Sequence, residues 1–368
     1  MPGDPFALAD EWGPKAVLHL HRPSVGLRAI LVIDNVALGP AIGGVRMAPD
    51  VTLVECFRLA RAMSLKNAAA GLPHGGGKAV IAADPRRPVE EREQLVRAFA
   101  RSIEGLVDYI PGPDMGTDET AMGWIADEIG RAIGRPALMG GIPLDELGAT
   151  GFGVAVACEE ACAHLEMKLA GARVAIQGFG AVGRHAARLL AARGARIVGV
   201  ADSGGAVLAP RGLDVAALLA HKEGGVSVTT FPGGTAAPLA ALLEVACDIW
   251  IPAARPDVID AANVGRLAAR LVVPGANIPV APEAEPLLHE RGILLVPDFI
   301  ANAGGVICGA IEHAGGRQSE VFGVIEEKIR ANLRQILAEA GSAELPREAA
   351  LRLAKDRLRR ARAFRRWR

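Results

Sequence analysis

The chain has 368 residues, 51% apolar and 22% charged, an ordinary globular composition with room for two domains. Lys plus Arg and Asp plus Glu both number 41, so the balanced charge gives no electrostatic reason to expect nucleic acid as a partner. No apolar run approaches membrane-spanning length, Met1 to Asp10 lacks the apolar core of a secretion signal, and five cysteines in mostly apolar surroundings read as reduced thiols, which together suggest a soluble, cytoplasmic protein.

Short apolar or alternating runs over Ala16–His21 and Ala29–Ile33 predict strands. The segment from Gly39 to Met47, with Ile42 before the pair Gly43-Gly44, reads as a constrained loop. Apolar residues then recur at helical spacing over Val51–Ala70, with Thr52 as N-cap and Lys66 near the helix end. The run Gly75-Gly76-Gly77-Lys78 leads into an apolar strand, Ala79–Ala83, so Lys78 is expected at a loop-to-strand junction. A helix from about Val89 to Leu106 follows. Pro111-Gly112-Pro113-Asp114-Met115-Gly116-Thr117 is a second constrained loop, because its prolines limit the backbone.

From Gly151 the texture becomes a cleaner strand–helix alternation. Strands are expected at Arg173–Gln177, Arg196–Ala201, Asp248–Ile251, Leu271–Val273 and Ile293–Val296, with a helix over Ala181–Arg193. That rhythm indicates a parallel sheet with helices on both faces. The glycine-bearing stretch from Gly224 to Gly234 is the nearest thing to a flexible linker. From about Val324 the pattern is helical, ending in the basic run Arg357–Arg368, which reads as a solvated terminal helix or a subunit contact. The fold class is therefore α/β with two domains, residues 1–140 plus 324–368 and residues 141–323, and a cleft between them.

Lys66 and Lys78 carry the first chemical signal. Three glycines let another segment or a ligand approach the Lys78 backbone closely. An ammonium held among them loses water, and a cationic neighbour disfavours its charged form further, which suits a lysine that moves a proton. The pair suggests one lysine that binds an anion and one that acts as a base. Asp114, among apolar neighbours, is either a proton relay or a turn residue bonded to its own backbone. Arg46 either pairs structurally, the favoured reading, or reaches an anion. Gly178-Phe179-Gly180-Ala181-Val182-Gly183 follows a strand and opens a helix, and Asp202 ends the next strand. The dinucleotide fingerprint has this arrangement, with pyrophosphate at the helix N-terminus and a carboxylate on the ribose hydroxyls. An acid at Asp202 favours NAD, with Ser203 and Arg184 leaving NADP open. Cys158, Cys162 and His164 share a helix, but no second cluster completes a metal site.

Eight motifs in this order resemble the glutamate/leucine/phenylalanine/valine dehydrogenase superfamily across nearly the whole chain. They are Gly39–Met47, the Lys66/Lys78 segment, the Asp114 loop, Ala149-Thr150-Gly151, the Gly178–Gly183 turn, Ile251-Pro252-Ala253-Ala254, Gly275-Ala276-Asn277 and Asn302-Ala303-Gly304-Gly305-Val306. The N-terminal part is most similar to the leucine, valine and phenylalanine branch, and the segment from Val174 to Val306 is closer to glutamate dehydrogenases. The resemblance implies reversible oxidative deamination of an L-amino acid by a homo-oligomer whose first domain is catalytic and oligomerising and whose second is of Rossmann type. It assigns Lys66 to the substrate α-carboxylate, Lys78 to activating water and Asp114 to shuttling protons. Gly44 falls in the substrate-binding segment. Thr150 and Asn302 face the nicotinamide end or the substrate, Asn277 the nicotinamide ribose, and Ala253 the cofactor's path, beside Gly178, Gly180, Ala181, Val182, Gly183 and Asp202 on the cofactor.

The chain departs from glutamate dehydrogenases in the side-chain pocket. They carry a lysine directly before the glycine pair to meet the distal carboxylate, where this chain has Ile42. They also tend to carry a serine where ungapped placement puts Gly309. A second carboxylate buried unpaired there costs several kcal/mol, whereas a leucine-sized group gains roughly 1.5–3 kcal/mol. The expected substrate is an apolar L-amino acid of the leucine, valine or phenylalanine type. The alternatives are a glutamate dehydrogenase with a rearranged distal site and a catalytically silent nucleotide-binding member of the fold.

Overall fold

The structure, a computed structural model, describes residues 4, 6–341 and 343–365. The chain divides into two compact units, one of Met1–Leu147, Val306–Val321 and Arg352–Arg368, the other of Gly148–Gly305 and Phe322–Leu351. The first begins with β1 (Ala16–Arg22), β2 (Leu27–Asn35), β3 (Ala41–Ala48), α1 (Leu53–Ala69) and β4 (Gly75–Ala82). It continues with α2 (Val89–Ser102), β5 (Tyr109–Pro113), α3 (Glu119–Ile129) and the single turn α4 (Leu144–Leu147).

The five strands order as β1-β2-β4-β3-β5, with β4 antiparallel to β2 and parallel to β3. Alternation along the strands sends Leu31, Val45, Met47, Ala79 and Ile81 to one face, where they pack with Phe99 of α2 and Met122 and Ile125 of α3. Each of these buried side chains larger than alanine contributes roughly 1.5–3 kcal/mol. Val32 and Val80 point the other way, to Cys56 and Ala60 of α1. Lys78 and Gly76, two and four residues before Val80, share that α1 side of the sheet.

Glycine explains two departures from the predicted elements. The Gly39–Met47 segment, expected as a loop, is mostly the strand β3, and β4 already includes Gly75, Gly76 and Gly77. Lys78 therefore lies inside a strand and not at a loop junction. Glycine is a poor strand former, which hides these elements from propensity. Here neighbouring backbone leaves no room for anything larger. A Cβ on Gly43 would lie 1.7 Å from the Gly77 carbonyl oxygen, on Gly75 1.8 Å from that of Asn35, and on Gly76 1.9 Å from the Ser64 nitrogen of α1.

Thr52 caps α1, its hydroxyl oxygen accepting from the Glu55 N–H at 3.1 Å. At the other end Arg357 donates to the carbonyls of Ala68 and Ala69 at 3.1 and 2.6 Å, a cation at the helix C-terminus. Lys355, Arg359 and Arg362 lie over the Trp12 ring at 5.9, 5.3 and 5.1 Å. Arg357, Arg359 and Arg362 of the basic C-terminal run thus contact their own unit, Arg359 and Arg360 are exposed, and residues 366–368 lie outside the described residues.

In the second unit α5 (Ala149–His164), β6 (Arg173–Gln177), α6 (Ala181–Ala192), β7 (Arg196–Asp202), β8 (Gly205–Leu208), α7 (Val215–Glu223), β9 (Thr235–Ala237) and β10 (Ile249–Pro252) follow in turn. Then come β11 (Leu271–Val272), α8 (Ala284–Glu290), β12 (Leu294–Leu295) and the short α9 (Asp298–Ala301). The sheet orders as β12-β11-β10-β6-β7-β8-β9, parallel from β12 to β7, with β8 and β9 antiparallel at the edge. Its core includes Ala175, Val198, Trp250, Val272 and Leu288. The Gly224–Gly234 stretch is no free linker, because it contains a 3-10 turn, Val228–Thr230, and returns Ser227 and Val228 to the end of β7.

The chain ends with α10 (Gly304–His313), α11 (Val321–Ala340) and α12 (Pro346–Arg362). Residues 306–321, grouped from sequence with the nucleotide-binding part, cluster with the first unit, and 322–351 with the second. The physical tie is Glu312, whose carboxylate accepts from Gly134 and Arg135. All five cysteines are buried and unpaired, and burial pushes the thiols of Cys56, Cys162, Cys247 and Cys308 up to about 12. Among the described residues there is no cluster of His, Cys, Asp and Glu suited to a metal, and no helix long and apolar enough to cross a membrane.

Candidate active site

In the first unit the register of β3 on β4 brings Gly44 beside Lys78, and β5 brings Gly112 beside Gly44. The three positions run across neighbouring strands on one face, so the Lys78 side chain stands over a floor of two glycines. A Cβ on Gly44 would be 3.2 Å from the Lys78 Nζ and 2.7 Å from the Asp114 Cβ. Asp114 is the first residue beyond β5. Its backbone N–H donates to Thr117 Oγ1, and that hydroxyl donates to the Val45 carbonyl at 2.7 Å, which fixes the turn against β3.

Lys78 is 5% exposed, and its Nζ lies 2.8 Å from Asp114 Oδ2. The same oxygen accepts from Arg46 Nε at 3.0 Å, and Arg46 also binds Glu55 of α1. Burial alone raises the Asp114 pKa, but the Lys78 and Arg46 cations outweigh it and hold the carboxyl below its ordinary value. This carboxylate is thus ionised, and it holds the lysine nitrogen in one place. Lys66 is half-buried in the last turn of α1, the helix covering the face to which Lys78 points. Ile42 is 1% exposed and two residues before Gly44 on that face, with Gly309 on α10 facing Ile133.

The second unit gathers a separate set at the C-terminal ends of its parallel strands. Gly178 has φ +101°, and a Cβ there would lie 2.7 Å from the Ala253 carbonyl. One on Gly183 would be 1.9 Å from the Gly178 oxygen, so that glycine lets α6 close onto β6. Gly180 differs: among the described residues nothing lies within 4 Å of where its Cβ would project. Gly180 begins α6, and no side chain caps that helix among the described residues, leaving the N–H groups around Ala181 and Val182 for an anion. Tight packing at two glycines and open space at the third fit a dinucleotide pyrophosphate.

Around this turn, Val182 and Ala253 both border Gly275. Asn302 donates to the Ala276 carbonyl at 3.0 Å and to Asn277 Oδ1 at 3.1 Å. Thr150 is in the first turn of α5, which the glycine at 151 lets approach α6 closely: a Cβ there would be 2.6 Å from the His185 Cβ. Asp202 ends β7 with its carboxylate engaged four times, by the N–H groups of Gly204 and Val228 at 2.9 Å, Ser227 Oγ at 2.8 Å and Lys222 Nζ at 2.6 Å. Burial raises its pKa, and these donors, Lys222 first, overcome that and lower it to about 2.

Four contributors escaped the sequence reading. Asn67 donates to the Gly75 carbonyl at 2.6 Å, and the Tyr109 hydroxyl to that of Gly43 at 2.8 Å, so both brace the glycine strands. An amide in an alanine run and the chain's single tyrosine were the available signals. Ile133 and Lys222 carried none, since each matters only through a contact distant in sequence.

A lysine–aspartate pair on a glycine floor and a dinucleotide-type turn in a second α/β unit are the arrangement of a nicotinamide-dependent dehydrogenase. The chain belongs to the glutamate/leucine/phenylalanine/valine dehydrogenase family, whose pattern matches residues 140–365, with the family's dimerisation domain matching residues 14–131. It is an amino acid dehydrogenase. Similar proteins include the NADP(+)-dependent glutamate dehydrogenase of Pyrobaculum calidifontis, 39% identical over 325 residues, covering 83% of this chain and 76% of that protein. The NAD-specific glutamate dehydrogenase of Staphylococcus aureus is 39% identical over 319 residues, with the same coverage of 83% and 76%. The hetero-hexameric glutamate dehydrogenase of Thermus thermophilus, solved in a leucine-bound form, superposes with a TM-score of 0.87 at 33% identity, covering 96% of this chain and 90% of that one.

Proposed function

We propose that the protein catalyses the reversible, NAD-dependent oxidative deamination of an apolar L-amino acid to its 2-oxo acid and ammonia. In this reading Lys66 holds the substrate α-carboxylate and Gly44 lets the α-carbon lie close to Lys78. A bound nicotinamide cofactor supplies the acceptor for the hydride from Cα. Asp114 takes the ammonium proton of Lys78 and passes it to the departing amine, which frees the Lys78 amine to take a proton from the water that attacks the resulting imine carbon. Asp114, kept ionised by two cations, has the acceptor capacity for that task. Pyrophosphate sits at Gly178, Gly180, Ala181, Val182 and Gly183, with Thr150, Ala253, Asn277 and Asn302 toward the nicotinamide half. NADP remains open, because Lys222 neutralises Asp202 and weakens its repulsion of a 2′-phosphate. The N-terminal match supports a homo-oligomer assembled through that part.

The substrate class is carried by one observation: the residue directly before the glycine pair is a fully buried isoleucine, Ile42, on the face of Lys78. An apolar side chain gains from that wall, and a distal carboxylate loses its water without a partner. A second reading, glutamate as substrate, is supported by the relatives, since the proteins compared above are glutamate dehydrogenases. The catalytically silent alternative is disfavoured by the Lys78–Asp114 pair. Turnover of leucine, valine, phenylalanine and glutamate, each with NAD and NADP, separates the three. A preference for glutamate rejects the pocket reasoning, and no turnover of any rejects the enzyme assignment.

A further inference from the structure

We propose that Ile133 sets the largest side chain this enzyme accepts, as the end wall of the glycine floor. The inference rests on the reading above that the substrate α-carbon lies over Gly44. Gly112 is one strand beyond Gly44, about 4.8 Å further from Lys78, which is within reach of a substrate side chain. The two glycines send no side chain of their own into that path; the Asp114 Cβ borders it at Gly44, and Ile133 closes it at Gly112. Its Cγ1 lies 3.0 Å from where a Cβ on Gly112 would be, and its Cδ1 lies 2.3 Å from where one on Gly309 would be. One isoleucine thus fills the volume that both glycines vacate.

The wall is held rigidly. Ile133 is 4% exposed, and its N–H donates to the Pro111 carbonyl at 2.9 Å. The next two residues are clamped by Glu312, which lies three positions after Gly309 on α10. Its Oε2 accepts from the Gly134 N–H at 2.8 Å, and its Oε1 from Arg135 Nε at 2.9 Å and the Arg135 N–H at 3.3 Å. Glu312 is itself buried, so the clamp is shielded from water. The helix that carries Gly309 therefore also fixes the segment that fills the space beside it. A larger residue at 309 has to displace Cδ1 of Ile133 and narrow the floor.

The test is kcat/KM for L-alanine, L-valine, L-leucine and L-phenylalanine in the parent, Ile133→Ala, Gly309→Ala and Gly309→Ala with Ile133→Val. Ratios between substrates within one variant cancel any loss of folded enzyme. Ile133→Ala is expected to raise phenylalanine relative to valine by about tenfold or more. Gly309→Ala is expected to lower leucine and phenylalanine relative to alanine by about tenfold, and Ile133→Val, which deletes Cδ1, to restore the ratio to within about threefold of the parent. Unchanged ratios in Ile133→Ala, or no restoration in the double variant, overturn the inference. If the parent instead prefers glutamate, the apolar reading fails, and the ratios among the four apolar substrates still decide the role of Ile133.

Discussion

Replacing Lys78 by methionine removes the ammonium and keeps a side chain of similar length, so the middle of β4 stays filled. The lysine is 5% exposed and shares Asp114 Oδ2 with Arg46, at 2.8 and 3.0 Å respectively. Without it that oxygen keeps one cation in place of two. Burial pushes the Asp114 pKa up, and Lys78 is the strongest of the influences lowering it, so the carboxyl moves upward in the variant. The substitution therefore disturbs both groups that handle protons. A positioned base alone is worth about 10²–10⁴-fold, which corresponds to about 3–5 kcal/mol of barrier. We expect kcat for deamination to fall at least about 10³-fold. Appearance of reduced cofactor at saturating amino acid measures the rate. Cofactor fluorescence titration, expected to be unchanged because the nucleotide turn is in the other unit, measures binding. Arg46→Met is the control, because it strips a cation from Asp114 and leaves the lysine. Activity of Lys78→Met within about tenfold of the parent, or an equal loss in Arg46→Met, refutes the assignment of Lys78 as the base.

Ile42→Lys places an ammonium where a distal carboxylate would arrive, and the kcat/KM ratio of glutamate to leucine is expected to rise about 100-fold or more; an unchanged ratio means the pocket is elsewhere. Lys222→Ala leaves the Asp202 carboxylate uncompensated, so KM for NADP is expected to rise about tenfold relative to that for NAD, and a relative fall would place Asp202 away from the ribose. His74 is buried, and burial lowers its pKa from 6.5 to about 4. Because the folded value is the lower one, the unfolded chain takes up the extra proton between those values, and stability drops as the pH falls through that window. The loss from this group is about 2 kcal/mol at pH 5, and His74→Gln should show a correspondingly weaker pH dependence of thermal unfolding between pH 7.5 and 5.

Local pattern exposed much of this architecture because several elements obey it cleanly. The strand at Arg173–Gln177 has its expected bounds, and Thr52 caps α1 as its type and position imply. The failures have a common physical cause. β3 carries a glycine pair at its centre and β4 opens on three glycines, so propensity points to a loop there and the closeness of other backbone selects the extended form. Ile133, Lys222 and Glu312 were illegible for a related reason. Each acts on a residue between 20 and 178 positions away, and no periodic pattern records such a contact.

The glycines also show why one residue type marks two kinds of site. Gly75, Gly76 and Gly77 invite the reading that a ligand approaches the backbone, but their space is already taken by Asn35, the Ser64 backbone of α1 and the Tyr109 ring. Their function is structural, and its consequence is chemical: the helix bearing Lys66 lies so close to the sheet that it covers the same face as Lys78. Gly180 is the opposite case, with open space where its side chain would be and uncapped helix N–H groups beside it. A methyl at Gly76 should therefore destroy folding, whereas a methyl at Gly180 should leave the fold intact and abolish cofactor binding. Thermal unfolding and cofactor titration of Gly76→Ala and Gly180→Ala distinguish the two, and a folded Gly76→Ala enzyme with normal kcat would show that α1 need not press on β4 for the lysines to work together.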